Sequence, residues 1–89
     1  MSSESQYSRQ LAREGFSTVY VWQDAPNAFY PDHVHMGDSA HVILEGELSL
    51  TMRGNARTYR EGDRVDVPGG TVHSAKIGPA GCRYLIGEK

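Results

Sequence analysis

Three of the four histidines lie between residues 33 and 41, in the segment HVHMGDSAH, and the fourth, His73, stands downstream in PGGTVH. Imidazole binds divalent metals as a neutral ligand and exchanges protons near neutral pH, so such a cluster suits a metal site or proton transfer. His33 and His35 form an HxH pair. On a strand the side chains alternate, which sends both imidazoles to one face. After a turn at Met36 and Gly37, the same-face series Ser39, His41, Ile43 can bring His41 toward that interior. An isolated HxH is also an ordinary polar pair at a strand end. The matter turns on whether the fold returns His73 to the first three histidines.

The elements that would do so are strands. From Phe16 onward the chain has period-two patterning in FSTVYVW, AHVILEGELSLTM, ARTY, RVDVP, VHSAKI and CRYLIG. These runs are separated by turn-forming residues in DAPN, PD, EGE, RGN, EGD, PGG and GPAG, the last taken as a hairpin-type turn. In LSLTM, Leu48, Leu50 and Met52 share one face, and in RVDV, Val65 and Val67 oppose Arg64 and Asp66. Short strands without intervening helices predict a β-sandwich or barrel. Tyr7 to Glu14 predicts a short helix stopped by Gly15, preceded by a polar tail over residues 1–6, with the barrel domain filling 7–89. VYVW is apolar on both faces, Val19 and Val21 against Tyr20 and Trp22, which predicts cover from a second subunit and hence a homodimer.

A chain of 89 residues forms one domain with a thin core. Its single cysteine, Cys82, excludes an internal disulfide and leaves metal or oligomerisation as further supports. Cys82 itself is expected to be a small buried residue in a reducing, cytoplasmic setting. The net charge of −2 and scattered Lys and Arg offer no basic surface, which argues against nucleic acid as a partner. No apolar run approaches a membrane span, and MSSESQ lacks the features of a secretory signal. There is no G-x-G-x-x-G, P-loop, C-x-x-C or G-x-S-x-G motif.

Gly62 to His73, GDRVDVPGGTVH, has the form G-x5-P-x-G-x2-H. With the upstream HxH and the LEGEL turn, it resembles the second motif of the cupin superfamily, and the likeness extends from about Phe29 to Ile86. That resemblance implies an all-β, single-domain barrel of jelly-roll or double-stranded β-helix type, RmlC-like, with a short N-terminal helix. It also implies a metal site of His33, His35 and His73. The position of the family's metal-binding glutamate is Ser39, the leading glycine of the first motif is Asn27, and the trailing asparagine of the second is Ile77. His41 or Asp38 is therefore the candidate for a further ligand, Asp38 requiring a bulge to turn it inward. His41 is alternatively a proton shuttle or a group supporting the ligands.

The implied cofactor is a divalent transition metal, Fe, Mn, Ni or Zn. The implied function is that of a metal-dependent enzyme, dioxygenase-like or an isomerase or lyase, acting on a small organic molecule. The alternative is a non-catalytic small-molecule-binding or sensing module. Tyr20, Trp22, Phe29, Tyr30, Tyr59 and Tyr84 are candidates for the pocket wall, and Arg83 and Arg53 for an anionic substrate or, more simply, solvated strand charges. Glu45, Glu47, Asp63 and Asp66 occupy turns and polar strand phases and are not assigned an acid/base role.

Overall fold

The computed structural model describes residues 3–89, beginning with α1 (Glu4–Arg13) and continuing through β1 (Thr18–Asp24), β2 (Phe29–His33), β3 (Ser39–Met52), β4 (Asn55–Arg60), β5 (Arg64–Val67) and β6 (His73–Glu88). The helix starts three residues before the expected Tyr7, so Glu4, Ser5 and Gln6 belong to it rather than to a tail. Glu4 in the first turn and Arg13 in the last both oppose the helix dipole favourably, and Glu4 reaches Arg83 of β6 at 3.1 Å. Of the rest of the expected tail, Ser3 is the N-cap of the helix, and residues 1 and 2 lie outside the described residues. Gly15 ends the helix as expected, at φ +97°, and Phe16 N–H closes back on the Leu11 carbonyl at 3.2 Å.

All pairings are antiparallel, and two long strands organise them. The first part of β3 pairs with β5 and with the last part of β6, which in turn pairs with β1. The last part of β3 pairs with β4 and with the first part of β6, which pairs with β2. Two facing layers thus share the same pair of strands, and the all-β barrel expected from the period-two runs is what the chain adopts. Both strands change phase where they bend. The core-facing residue is Ile43 before the bend in β3 and Leu48 and Leu50 after it; in β6 it is Ile77 before and Cys82 and Tyr84 after.

Glycine makes the bends possible. Gly46 has φ +81° and Gly81 φ +80°, and a Cβ on Gly46 would stand 2.1 Å from the Gly81 carbonyl oxygen. GPAG is consequently a bend inside β6 rather than the hairpin turn expected, because its ends continue along the same neighbour, β3. β2 is a strand where the sequence suggested a turn. Pro31 sits between the paired Tyr30 and His33, where the register shifts and no ladder N–H is needed.

The apolar residues form two clusters. One fills the barrel with Ile43, Leu48, Leu50, Val65, Val67, Ile77, Cys82 and Tyr84. The other lies on the opposite face of β3 and β6, where Leu11 and Phe16 cover Ala40, Val42 and Leu85. Val19 packs on this second cluster, while Tyr20 and Trp22 turn to the barrel mouth. Each apolar face of β1 thus has a contact within the chain, yet both keep an exposed residue, Val21 at 39% and Trp22 at 48%. No helix among the described residues is long and apolar enough to cross a membrane.

Candidate functional site

His33 ends β2 and His73 opens β6, and the two are direct cross-strand partners. That register puts both side chains on one face. His35 lies two residues past the strand, and it is held by the PGG turn: Gly70 N–H donates to the His35 carbonyl at 2.8 Å, and Gly69 N–H to the Asp38 carboxylate at 2.8 Å. The turn needs glycine, since a Cβ on Gly69 would meet the Met36 carbonyl oxygen at 2.3 Å. The three histidines converge. Each offers one ring nitrogen within 4.8 Å of the others, and the ring centroids of His33 and His73 are 4.1 Å apart.

Two of the rings are already oriented for a metal. His33 Nδ1 lies 2.8 Å from the Pro31 carbonyl and His73 Nδ1 2.9 Å from the Thr71 carbonyl. A carbonyl only accepts, so each Nδ1 carries the proton and each Nε2 keeps its lone pair. Burial lowers the His73 pKa, the Thr71 carbonyl opposing, which favours the neutral form a ligand requires. The donor set fits a divalent transition metal.

The two further candidates separate. The Asp38 carboxylate is occupied by Gly69 and lines a different hollow, with Glu14, Phe16 and Lys89, so it clamps the loop and is not gathered with the triad. No bulge turns it inward, because β3 begins in regular register at Ser39. His41 faces the triad's cavity, as the series Ser39, His41, Ile43 predicts. It lies outside the group of converging ligand atoms. It is half-buried, with Nδ1 sealed from solvent and without a hydrogen-bond partner. Burial, then the neighbouring His73 and His35, bring its pKa down to about 4. Ser39, at the glutamate position, is buried beside it on the same wall.

The triad opens into a cavity of about 230 Å³ whose walls include Tyr20, Trp22, Tyr30, Tyr84, Leu48 and Leu50. Four of the six aromatic candidates are therefore in place; Phe29 is 63% exposed and Tyr59 packs beside the barrel core. Asp24, which composition placed in a turn, is buried and accepts from Tyr84 Oη at 2.6 Å, Trp22 Nε1 at 3.1 Å and Tyr30 Oη. The signal for it was present, since Tyr20, Trp22 and Asp24 share one strand face. Burial, and next the bond to Asp24, raise the pKa of Tyr30 and Tyr84.

The remaining candidates are elsewhere. Arg83 is neutralised by Glu4 and by Glu45 at 3.4 Å, beside a separate hollow between α1 and β3. Arg53, at φ +53° in the β3–β4 turn, meets Thr71 at 3.5 Å. Cys82 is buried, which pushes its thiol up to about 11 and leaves no thiolate at neutral pH.

A family model described as a cupin domain matches residues 20–85. An acireductone dioxygenase from Alcanivorax borkumensis is 30% identical over 84 residues, which span 80% of this chain and 46% of that protein. The crystal structure of the DMSP lyase DddQ from Ruegeria pomeroyi superimposes with a TM-score of 0.73 at 28% identity, covering 80% of this chain and 36% of that one. An RmlC-like cupin from Shewanella frigidimarina superimposes at 0.72 with 21% identity, covering 80% and 63%. The chain thus spans less than half of the first two relatives.

Proposed function

This chain belongs to the cupin family, and from that premise we propose that it binds one divalent transition metal through His33, His35 and His73 and acts on a small organic molecule. The observation that carries this is the convergence of three imidazole nitrogens at the mouth of an apolar, aromatic cavity. Two of them are held with Nε2 free by backbone carbonyls. The bound ion supplies Lewis acidity, or activation of dioxygen, at coordination positions left open by three protein ligands. Likeness to an acireductone dioxygenase favours the oxygen-dependent branch, and likeness to a lyase favours elimination or isomerisation.

The chain's own residues give the reaction its setting. Leu48 and Leu50 exclude water from one side of the cavity, and Tyr30 and Tyr84 are fixed there by Asp24. His41 stands beside Ser39 on the cavity wall, neutral at physiological pH, with its Nδ1 sealed within the barrel. Asp38 keeps the His35 loop against the PGG turn. The lone, buried Cys82 supports a reducing, cytoplasmic location. A homodimer would join copies at β1, an edge strand with Val21 exposed, and light scattering at one chain's mass removes it.

Elemental analysis of untagged protein, beside a His33→Ala variant, tests the metal. About one equivalent of Fe, Mn, Ni or Zn that vanishes in the variant supports the reading. No metal in either protein after incubation with all four salts overturns it, and the barrel is then a ligand-binding module.

A further inference from the structure

The arginines of the barrel divide in two. Arg60, Arg64 and Arg83 each hold a carboxylate, at 3.1 Å, 2.7 Å and 3.1 Å. Arg53 and Arg57 have none within ion-pair distance among the described residues, although Asp and Glu outnumber Lys and Arg in the chain, 11 to 9. The register explains this. Arg57 stands opposite Leu50 on β3, and Arg53 follows Met52, so their neighbours there are apolar. Both line a hollow of about 470 Å³ with Met52, Asn55 and Tyr59, which shares Leu50 with the triad's cavity and no other lining residue. No acid lines it.

Two contacts set these side chains. Arg57 lies over the Tyr59 ring, its Cζ 5.9 Å from the centroid, and Arg53 Nη2 donates to Thr71 Oγ1 at 3.5 Å. A guanidinium carries five N–H donors, so most remain unspent. Arg53 is also held at φ +53°, with Gly54 at +78°, in the two-residue turn that joins Met52 to Asn55. Asparagine or glycine takes that first position with least strain, and an arginine there is a cost to the fold that a binding side chain explains. We propose that this hollow binds the oxyanion head, carboxylate or phosphate, of a small organic ligand whose apolar part rests against Met52 and the Tyr59 ring. Planar guanidinium forks match oxyanions in geometry and charge, and nothing in the hollow competes for them. The site does not depend on the metal.

Calorimetric titration at low ionic strength uses phenyl phosphate and benzoate as probes, with benzyl alcohol as their neutral counterpart. Saturable binding of an anion, and none of the alcohol, is expected. It should weaken at least about tenfold in the double variant Arg53→Asn, Arg57→Gln, and survive chelation of any bound metal. Both arginines are exposed, and matching circular dichroism confirms that the variant folds. Arg53→Asn alone should weaken binding yet hold or raise the melting temperature, because it places Asn-Gly in the turn; a purely structural arginine would lower it. No saturable binding of either anion, equal binding of the alcohol, or an unchanged affinity in the double variant overturns the site. So does binding that disappears on chelation, which would put the anion on the metal. Saturation by one anion alone upholds the site and selects its head group.

Discussion

The two faces of β3 near its start differ in what they bury. Ala40 and Val42 lie under Leu11 and Phe16, a dry contact in which every partner is carbon. One residue out of phase, Ser39 and His41 line the cavity with the triad, and His41 carries a buried nitrogen that nothing among the described residues satisfies. Alternation thus puts support and chemistry on a single strand, a side chain apart. An unpaired buried polar atom costs about 1–3 kcal/mol. The helix-covered face offsets that cost, and function occupies the side that is less stable.

The contrast can be broken most forcefully from the dry side. Leu11 is fully buried, and Leu11→Ala should lower unfolding stability by roughly 3–4 kcal/mol in denaturant titration. Its folded fraction should still bind metal in the wild-type ratio. Loss of the metal ratio would mean that the helix shapes the site directly. On the wet side, the pH dependence carries the sign. Folded His41 stays neutral down to about 4, whereas the unfolded chain takes up the proton near 6.5. The unfolded state then binds more protons between those values, so metal-free stability falls as pH drops through that window and levels below it. The loss approaches about 3 kcal/mol at the acid end, and denaturant midpoints for wild type and His41→Leu across the window should show the slope in wild type and a flatter one in the variant.

A third change separates ligand from packing. Asp38→Asn keeps an acceptor for Gly69 N–H but removes the charge, and should weaken metal affinity by less than about tenfold in a competition assay. His73→Ala, by contrast, should weaken it by about 100-fold or more; equal effects would make Asp38 a ligand after all. The smallest effect belongs to the surface. Arg64 spans Glu14 at 2.7 Å and Asp66 at 2.8 Å, tying α1 to β5. Glu14→Gln should shift the melting temperature by only about 2 °C, with the shift fading at high salt.

Much of this was legible because alternation and ligand spacing are local signals. LSLTM and RVDV declared their faces, and G-x5-P-x-G-x2-H with HxH named the residues that converge. What escaped is long-range. Pro31 and Asp32 conceal β2, since neither favours a strand and only the partner β6 makes one there. The bends at Gly46 and Gly81 resemble turns until the two glycines are seen to face each other. Asp38 and His41 were open alternatives in sequence; the PGG turn engages the Asp38 carboxylate, a contact no local signal announces, and His41 faces the cavity without joining the three converging nitrogens. Asp24 sat among turn formers, and its three donors come from β1, β2 and β6.

β6 is the hub of the barrel: β1, β2 and β3 all hydrogen-bond to it, although β1 begins more than fifty residues earlier. Until that strand docks, β1 and β2 have no ladder partner and His73 is far from the other two imidazoles. Ordering β6 closes long loops before any contact repays the lost chain entropy. Folding is therefore governed by non-local pairing and belongs with the slow, millisecond-to-second class of small domains. Docking of β6 completes the barrel wall and the histidine cluster in one event.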